Sequence, residues 1–321
     1  MSGVSTGAAR ASGAPLGAPT ISVVLPVLNG EATLSEQLDA LARQTYGGPW
    51  ELVLADNGST DGSVRIATAW KGRLPRLTIV DASARRGRAA ACNAGATAAE
   101  GAALAFCDAD DVARQDWLAA CVAASAEHAF VAGALDYFTL NPGAPPWKRT
   151  ALSQPQAVPG GSRFADGANM IVSKTAFRAV GGYCEDMRHS ADIDLSWRLE
   201  AAGYELHFES SAVMAKRVRS AYRDVWRQSA AWGAAEIKLR QRHGQVAHPP
   251  MAKAVTAFAF DLFRPDRPAR NARVLLALLH PRYRRSWVAA AARVWGQLRA
   301  SILIRVAGAE NLKSMARAHG R

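Results

Sequence analysis

Residues 21–107 alternate short apolar runs with segments of helical pattern, and no other feature limits the possible folds as much. The apolar runs predict four buried strands, over residues 21–27, 51–55, 77–80 and 103–107. The segments between them predict helices over residues 31–43, 61–70 and 88–99. Strands that alternate with helices indicate an α/β fold, in which helices cover both faces of a mostly parallel sheet.

The rest of the chain is less regular. Residues 138–166 are rich in proline and glycine and predict a mobile loop, followed by a strand over 168–173 and a helix over 191–202. About the last eighty residues predict helices, with breaks at Pro249-Pro250 and between Pro265 and Pro268. The first nineteen residues are of low complexity and predict disorder.

The net charge of +12 is distributed unevenly along the chain. Residues 1–215 hold 17 Lys and Arg against 22 Asp and Glu, a net charge of −5, whereas residues 216–321 hold 22 against 5, a net charge of +17. A slightly acidic module is therefore followed by a strongly basic one. Nucleic acid, an anionic membrane surface or a phosphorylated substrate could each account for such a segment.

The four cysteines, Cys92, Cys107, Cys121 and Cys184, form no CxxC pair and no Cys/His cluster with metal-ligand spacing. This excludes a disulfide framework and a structural zinc site, and it fits a reducing compartment. The sequence also shows no charge-free stretch of eighteen apolar residues and no secretory signal pattern. We therefore expect a cytoplasmic protein.

Two polar clusters follow strands of the predicted sheet. Asp108-Ala109-Asp110 comes directly after the strand 103–107, and two carboxylates at this spacing can hold a divalent cation with positions left for phosphate oxygens. Asp56-Asn57 follows the strand 51–55 at the same sheet edge, where ligands of such folds bind, and could hydrogen-bond a nucleobase. Turn formation and helix capping are the structural alternatives for both clusters.

A third acidic group opens the helix predicted over residues 191–202. Ser190 is placed to cap this helix, and Asp192 lies in its first turn, where a carboxylate complements the helix dipole. The same carboxylate could instead act as a general base. From this segment alone, the structural role is the simpler explanation.

Taken together, six ordered segments resemble the family 2 glycosyltransferases, enzymes of the GT-A fold. They are ISVVLPVLNGEATL, LVLADNGSTDGS, GRAAACNAGA, AFCDADD, GANMIVSKTAFRAVGGY and SADIDLSWRLEAAGY. The resemblance implies a Rossmann-like sheet within a GT-A domain over residues 20–243. We expect a disordered segment (1–19) before this domain and a basic helical region (244–321) after it.

The resemblance also implies roles for individual residues. Pro26, Asn29 and Glu31 would border the nucleotide pocket, and Leu28 would lie where an aromatic residue often stacks on the base. Asp56 and Asn57 would read the base. Arg88 and Asn93 would lie near the nucleotide and the diphosphate. Asp108, Ala109 and Asp110 match the DxD motif, whose two carboxylates would hold Mn²⁺ or Mg²⁺, with Asp110 the direct ligand. Asp192 would be the catalytic base of an inverting displacement.

The sequence departs from the family pattern at three places. Ala191 precedes Asp192 where many members have Glu, and the segment after the last strand has no metal-binding His. Lys216 and Arg217 stand in that segment instead, and we expect them to contact the diphosphate and share its neutralisation with the metal. The segment Gln228–Trp232 lacks the Arg of the QxxRW motif of processive synthases, which favours a non-processive enzyme.

These inferences predict transfer of a sugar from a nucleotide-diphosphate donor to a glycan, lipid-linked or small-molecule acceptor. The alternatives are a catalytically inactive nucleotide-sugar- or glycan-binding homologue and a nucleotidyltransferase. The basic tail carries no nucleic-acid-binding motif, so no nucleic acid partner is expected. Residues 216–321 predict attachment to the anionic inner face of the membrane or a position near a phosphorylated acceptor. Packing of their helices on the catalytic domain is the structural alternative.

Overall fold

The computed structural model describes residues 20–74, 76–142, 151–158, 162–219, 221–244, 288–301 and 303. The elements, in chain order, are β1 (Ile21–Val27), α1 (Leu34–Ala42), β2 (Trp50–Asp56), α2 (Ser63–Ala69), β3 (Leu77–Asp81), α3 (Arg88–Ala98), β4 (Ala103–Cys107), β5 (Val112–Ala113), α4 (Trp117–Glu127), β6 (Phe130–Asp136), β7 (Gln156–Ala157), β8 (Arg163–Phe164), β9 (Asn169–Ser173), α5 (Lys174–Ala179), α6 (Ala191–Ala201), β10 (His207–Ala215) and α7 (Tyr222–Arg242). Residues 288–301 are also helical. The segment predicted to be disordered, 1–19, lies outside the described residues.

Eight strands form one sheet in the order β3-β2-β1-β4-β9-β6-β10-β5. Strands β1 to β4 run parallel, as do β6 and β10, whereas β9 runs antiparallel between β4 and β6, and β5 pairs antiparallel with β10. The sheet is therefore mostly parallel with helices around it, and the predicted α/β fold of the GT-A type is confirmed.

Two apolar layers cover the faces of the sheet, and the side chains of each central strand alternate between them. In β1, Val23 and Leu25 belong to the layer that holds Leu34, Leu38 and Leu41 of α1. Val24 belongs to the opposite layer, together with residues of α3, α5 and α6. Because both faces are buried, most side chains of the central strands are apolar.

Several predicted boundaries are wrong. Helix α1 begins at Leu34 rather than at residue 31, because residues 30–33 form a turn in which the Gly30 carbonyl accepts the N–H groups of Thr33 and Leu34. Helix α2 begins at Ser63 rather than at residue 61. The stretch predicted as a mobile loop, 138–166, contains the short β7–β8 hairpin, while residues 143–150 and 159–161 lie outside the described part.

The two C-terminal helical segments pack closely on each other. Glu236 of α7 is buried and accepts hydrogen bonds from Arg293 (3.1 Å) and Gln297 (3.0 Å) of the helix 288–301. Gly233 and Gly296 lie at the contact, where an added Cβ would overlap the backbone of the opposite helix. Of the segment 244–321, predicted to be helical, the structure describes residues 244, 288–301 and 303, and residues 288–301 form a helix. Among all the residues that the structure describes, no helix is both long and apolar enough to cross a membrane.

Candidate active site

The loops that follow β1 and β2 are joined into one wall at the carboxyl edge of the sheet. Asn29 donates its backbone N–H to Ser59 Oγ (3.0 Å) and accepts the Thr60 N–H at Oδ1 (2.8 Å). The Glu31 carboxylate accepts the N–H of Gly62 (3.0 Å). Asn29 reaches this position with a left-handed backbone (φ 53°), a conformation that Asn tolerates well. Two of the residues predicted to border a nucleotide therefore build the wall itself.

The other residues predicted to bind the nucleotide at this edge differ in how many hydrogen bonds their side chains make within the protein. Buried Asn57 donates to the carbonyls of Ala82 (2.6 Å) and Arg85 (2.9 Å) and accepts the Gly87 N–H (2.6 Å), so its amide fixes the loop before α3. The Asp56 carboxylate accepts a single backbone N–H, three positions along the chain (3.2 Å). Leu28 is 47% exposed, and its side chain presents an apolar surface at the rim.

Three carboxylates lie together directly after β4. Oxygen atoms of Asp108, Asp110 and Asp111 lie within 4.8 Å of one another. Asp111, which the sequence analysis did not single out, is only 1% exposed, and burial raises its pKa to about 8. Its Oδ2 atom is buried without a hydrogen-bond partner in the described part of the chain. This oxygen-only donor set with an unsatisfied buried acceptor fits a hard divalent cation such as Mn²⁺ or Mg²⁺.

Two partly buried cations face this acidic centre. Arg88, the first residue of α3, donates from Nε to Asp108 Oδ1 (2.8 Å). The Lys216 Nζ lies 3.7 Å from carboxylate oxygens of Asp108 and Asp111 and 3.1 Å from Asp166 Oδ1. Burial opposes ionisation of Asp108, but the charges of Arg88 and Lys216 outweigh it and lower its pKa. Lys216 therefore lies at the acidic centre. It also forms an ion pair with Asp166, a residue that the sequence analysis missed.

Asp192 lies in the first turn of α6, as predicted, and is held by backbone. Its Oδ2 accepts the N–H of Gly167 (3.1 Å), and its Oδ1 accepts the N–H of Ile193 (3.0 Å). Burial, followed by the nearby charge of Asp166, raises its pKa. A carboxylate with a raised pKa is better suited to accept a proton near neutral pH.

The capping role predicted for Ser190 is wrong. Ser190 takes a left-handed conformation (φ 60°), and its side chain makes no capping hydrogen bond. A capping Ser needs an extended backbone to aim its hydroxyl at the first N–H groups of the helix. Asp192 accepts one of these N–H groups instead, that of Ile193.

Asn93 and Ala109 have their contacts inside the protein. The Asn93 amide donates to the Tyr183 carbonyl (2.9 Å) and to Glu185 Oε1 (2.8 Å), and it accepts the Tyr183 N–H (2.9 Å). The Ala109 carbonyl accepts the Thr33 hydroxyl (3.2 Å). Both residues thus hold neighbouring loops against the site.

A second acidic group of α6, Asp194, is fully buried and was not predicted. It accepts hydrogen bonds from Arg198 Nε (2.8 Å), one turn along the same helix, and it pairs with Arg242 Nε and His243 Nε2, each at 3.0 Å. Arg242 and His243 come from the end of α7. This cluster, Asp194–Arg198–Arg242–His243, joins α7 to the helix that carries Asp192.

A mostly parallel sheet with a carboxylate cluster after β4 and a half-buried carboxylate, Asp192, at the start of α6 defines a GT-A type glycosyltransferase. Comparison with known proteins identifies the family within this class. The model of glycosyl transferase family 2 matches residues 22–181. EpsE of Bacillus subtilis, assigned as a glycosyltransferase, is 30% identical over 195 residues, which cover 58% of this chain and 68% of EpsE. The chain belongs to glycosyltransferase family 2.

Other relatives match smaller shares of their own length. The glycosyltransferase AglE of Haloferax volcanii is 28% identical over 200 residues, which cover 61% of this chain and 66% of AglE. A PGL/p-HBAD biosynthesis glycosyltransferase of Mycobacterium tuberculosis is 40% identical over 114 residues, which cover 35% of this chain and 44% of that protein. Among solved structures, the mannosyltransferase PcManGT from Pyrobaculum calidifontis, in complex with GDP-Man and Mn²⁺, has a TM-score of 0.63 at 21% identity and covers 88% of this chain and 87% of that one.

Proposed function

We propose that this protein is an inverting, non-processive glycosyltransferase that moves a sugar from a nucleotide-diphosphate donor to an acceptor hydroxyl. The observation that carries the proposal is that two carboxylates at one edge of the sheet have pKa values shifted in opposite directions. Asp108 is kept ionised by Arg88 and Lys216, whereas the pKa of Asp192 is raised by burial and by Asp166. The first arrangement suits cation and diphosphate binding, and the second suits proton acceptance.

The nucleotide would lie against the wall formed by the loops after β1 and β2. Pro26, Leu28, Asn29 and Glu31 border this pocket, and the exposed side chain of Leu28 offers the base an apolar surface. Asp56 keeps acceptor capacity for the base, while Asn57 shapes the pocket through the backbone that it holds. The GDP-Man bound to PcManGT supports a donor of this chemical class.

The diphosphate would lie beside the acidic centre. Asp108, Asp110 and Asp111 would hold Mn²⁺ or Mg²⁺, which supplies charge neutralisation for the departing diphosphate. Arg88 and Lys216 would share that neutralisation, since each already faces Asp108 and carries donors for phosphate oxygens. In the protein without donor, the charge of Lys216 also offsets part of the repulsion between Asp108 and its neighbours Asp110 and Asp111.

Asp192 would then act on the acceptor. Its carboxylate accepts the proton of the acceptor hydroxyl while that oxygen attacks the anomeric carbon from the face opposite the diphosphate. The bond between the anomeric carbon and the diphosphate oxygen breaks, nucleoside diphosphate leaves, and the configuration at the anomeric carbon inverts. The N–H groups of Gly167 and Ile193 hold the carboxylate for this step.

The proposal is tested by incubating the protein with a panel of sugar nucleotides and Mn²⁺, with and without hydroxyl acceptors. We expect release of free nucleoside diphosphate with at least one donor, and a product anomer opposite to that of the donor. Pyrophosphate release would instead indicate a nucleotidyltransferase. Donor binding without turnover under every condition would favour an inactive homologue.

We further propose that the basic segment 216–321 holds the enzyme on an anionic, cytoplasmic membrane face, where a lipid-linked acceptor could be reached. In the described residues, six of the nine exposed large apolar side chains lie on α7 or in residues 288–303: Tyr222, Trp226, Trp232, Trp295, Leu298 and Leu303. Exposed Arg223 and Arg227 accompany them on α7. Tryptophan with arginine is typical of surfaces that lie in a membrane interface.

Flotation with vesicles tests this attachment. Each Lys or Arg near an anionic surface contributes ~1 kcal/mol before screening, so binding should appear at low salt with anionic vesicles, weaken at high salt, and be absent with neutral vesicles. Trp226→Ser should weaken binding to anionic vesicles, whereas Val64→Ser, at an exposed apolar residue of α2, should not. Absence of binding at either salt concentration would indicate that these helices only pack on the catalytic domain.

A further inference from the structure

A short chain of hydrogen bonds connects the acidic centre to the proposed base. Arg88 donates from Nε to Asp108 (2.8 Å) and from Nη2 to the carbonyl of Gly167 (2.6 Å). The N–H of the same residue, Gly167, donates to Asp192 Oδ2 (3.1 Å). One guanidinium and one glycine therefore lie between the carboxylate that faces the donor and the carboxylate that faces the acceptor.

A side chain at position 167 would displace the Arg88 guanidinium. A Cβ built on Gly167 would lie 2.7 Å from Arg88 Nη1 and 3.0 Å from Arg88 Cζ. The backbone of Gly167 is outside the left-handed region, so its conformation alone does not require glycine. What requires glycine is the close approach of the Arg88 guanidinium to the backbone.

The position of Gly167 also affects the charge state of Asp192. Burial and Asp166 favour the protonated carboxyl, whereas the Gly167 N–H stabilises the ionised form. The carbonyl and the N–H of Gly167 belong to consecutive peptide groups joined at its Cα, so the hydrogen bond from Arg88 fixes the position of the backbone from which the N–H reaches Asp192. Arg88 thus acts on Asp192 without touching it.

We propose that Gly167 is a positioning residue for the catalytic base, and that Arg88 orients Asp192 through it while holding Asp108. The inference rests on the proposed function and deepens it, because it couples the donor side of the site to the acceptor side. A displacement of the guanidinium on one side changes the support of the base on the other.

The test is Gly167→Ala, measured in the parent and in an Asp192→Asn background, with kcat and donor KM determined separately. We expect kcat to fall by ~10-fold or more in the parent, the effect of losing one hydrogen bond to a charged group. In the Asp192→Asn background the residual kcat should change less than about twofold, because the group that Gly167 positions is gone. Gly47→Ala, where an added Cβ meets nothing within 4 Å, is the matched control and should behave like the parent.

An equal fall of kcat in both backgrounds would overturn the inference, as would a rise of donor KM with kcat unchanged. If Gly167→Ala lowers the melting temperature too far for assay, Arg88→Lys replaces it. That variant keeps a charge beside Asp108 but loses the fork that also reaches Gly167. It should raise donor KM in both backgrounds and lower kcat only where Asp192 is present. Turnover by the parent protein is required throughout, so failure of the proposed function shows separately.

Discussion

Replacement of Asp192 by asparagine separates the proposed catalytic role of this residue from its structural role. The variant keeps the size of the side chain but loses the capacity to accept a proton. Turnover should fall by ~10²–10⁴-fold, the usual contribution of general base catalysis, with donor binding little changed. The effect on stability can be worked out from the contacts of the carboxylate.

Two terms of opposite sign act on the folded state of Asp192→Asn. The carboxylate accepts two backbone N–H groups, from Gly167 and Ile193, on different oxygens. An amide has one oxygen, so one N–H meets the NH₂ group and a hydrogen bond worth about 1–3 kcal/mol is lost. Against this, the raised pKa of Asp192 shows that the folded state holds its charge at a cost, about 1.4 kcal/mol for each pKa unit. We expect the free energy of unfolding to change by less than about 2 kcal/mol.

The pH dependence follows from the same shift. The folded state binds the proton of Asp192 more tightly than the unfolded chain, whose value is 3.8. The stability due to this group is therefore fully present below pH 3.8 and is lost as the pH rises through the folded pKa. The variant has no such proton, so its stability relative to the parent should improve as the pH increases over this range.

Urea unfolding of parent and variant across a pH series, together with steady-state kinetics, checks both parts. Turnover within a few-fold of the parent, in a variant that folds, would show that Asp192 is only a helix-start residue. A stability difference that does not move with pH would show that the carboxylate is not charged at a cost.

Three further predictions follow from neighbouring contacts. Lys216→Ala removes the ammonium near Asp108, Asp111 and Asp166, so the activity should depend more steeply on the metal concentration. Complete loss of parent activity in EDTA, with the same Mn²⁺ titration for parent and variant, would contradict this. Asp111→Asn should flatten the fall of metal-free stability between pH 3.8 and about 8, because burial raises the pKa of Asp111 to about 8; unfolding curves with equal pH slopes would refute it. Gly133→Ala should lower the free energy of unfolding by ~1–3 kcal/mol, since the added methyl overlaps the buried amide of Asn169; a melting temperature equal to that of Gly47→Ala would show that the site can relax.

The central sheet could be predicted from sequence because its strands are buried on both faces. The predicted bounds of β1 and β4 agree with the structure, since each is a largely apolar run, with Ser22 as the polar exception in β1, and polar clusters follow the two strands at Asn29 and Asp108. The start of α1 could not be predicted in the same way. Glu31 has a helical pattern in sequence, but its N–H donates to Asp61, thirty residues away, and this tertiary contact keeps it outside the helix.

The site shows the same limit. Asp108, Asp110 and Asp192 stand in recognisable motifs, whereas Asp166 is followed by glycine in a Pro/Gly-rich stretch that is typical of turns. Its partner Lys216 is fifty residues away, and only the sheet topology brings the two together at 3.1 Å. Asp111 had a sequence signal, as the third acid of the run Asp108-Ala109-Asp110-Asp111, but its burial could be seen only in the folded protein.

The cluster around Asp194 fixes the end of α7 to α6, the helix that carries Asp192. Shortening the chain before Arg242 would remove Arg242 and His243 from a fully buried carboxylate and leave Arg198 as its cationic partner, so we expect the free energy of unfolding to fall. We therefore expect a stable catalytic domain to need the chain up to residue 243. It also means that α7 and α6 cannot move independently. A force applied to α7 at its exposed tryptophans must either break these ion pairs or move the helix that holds Asp192.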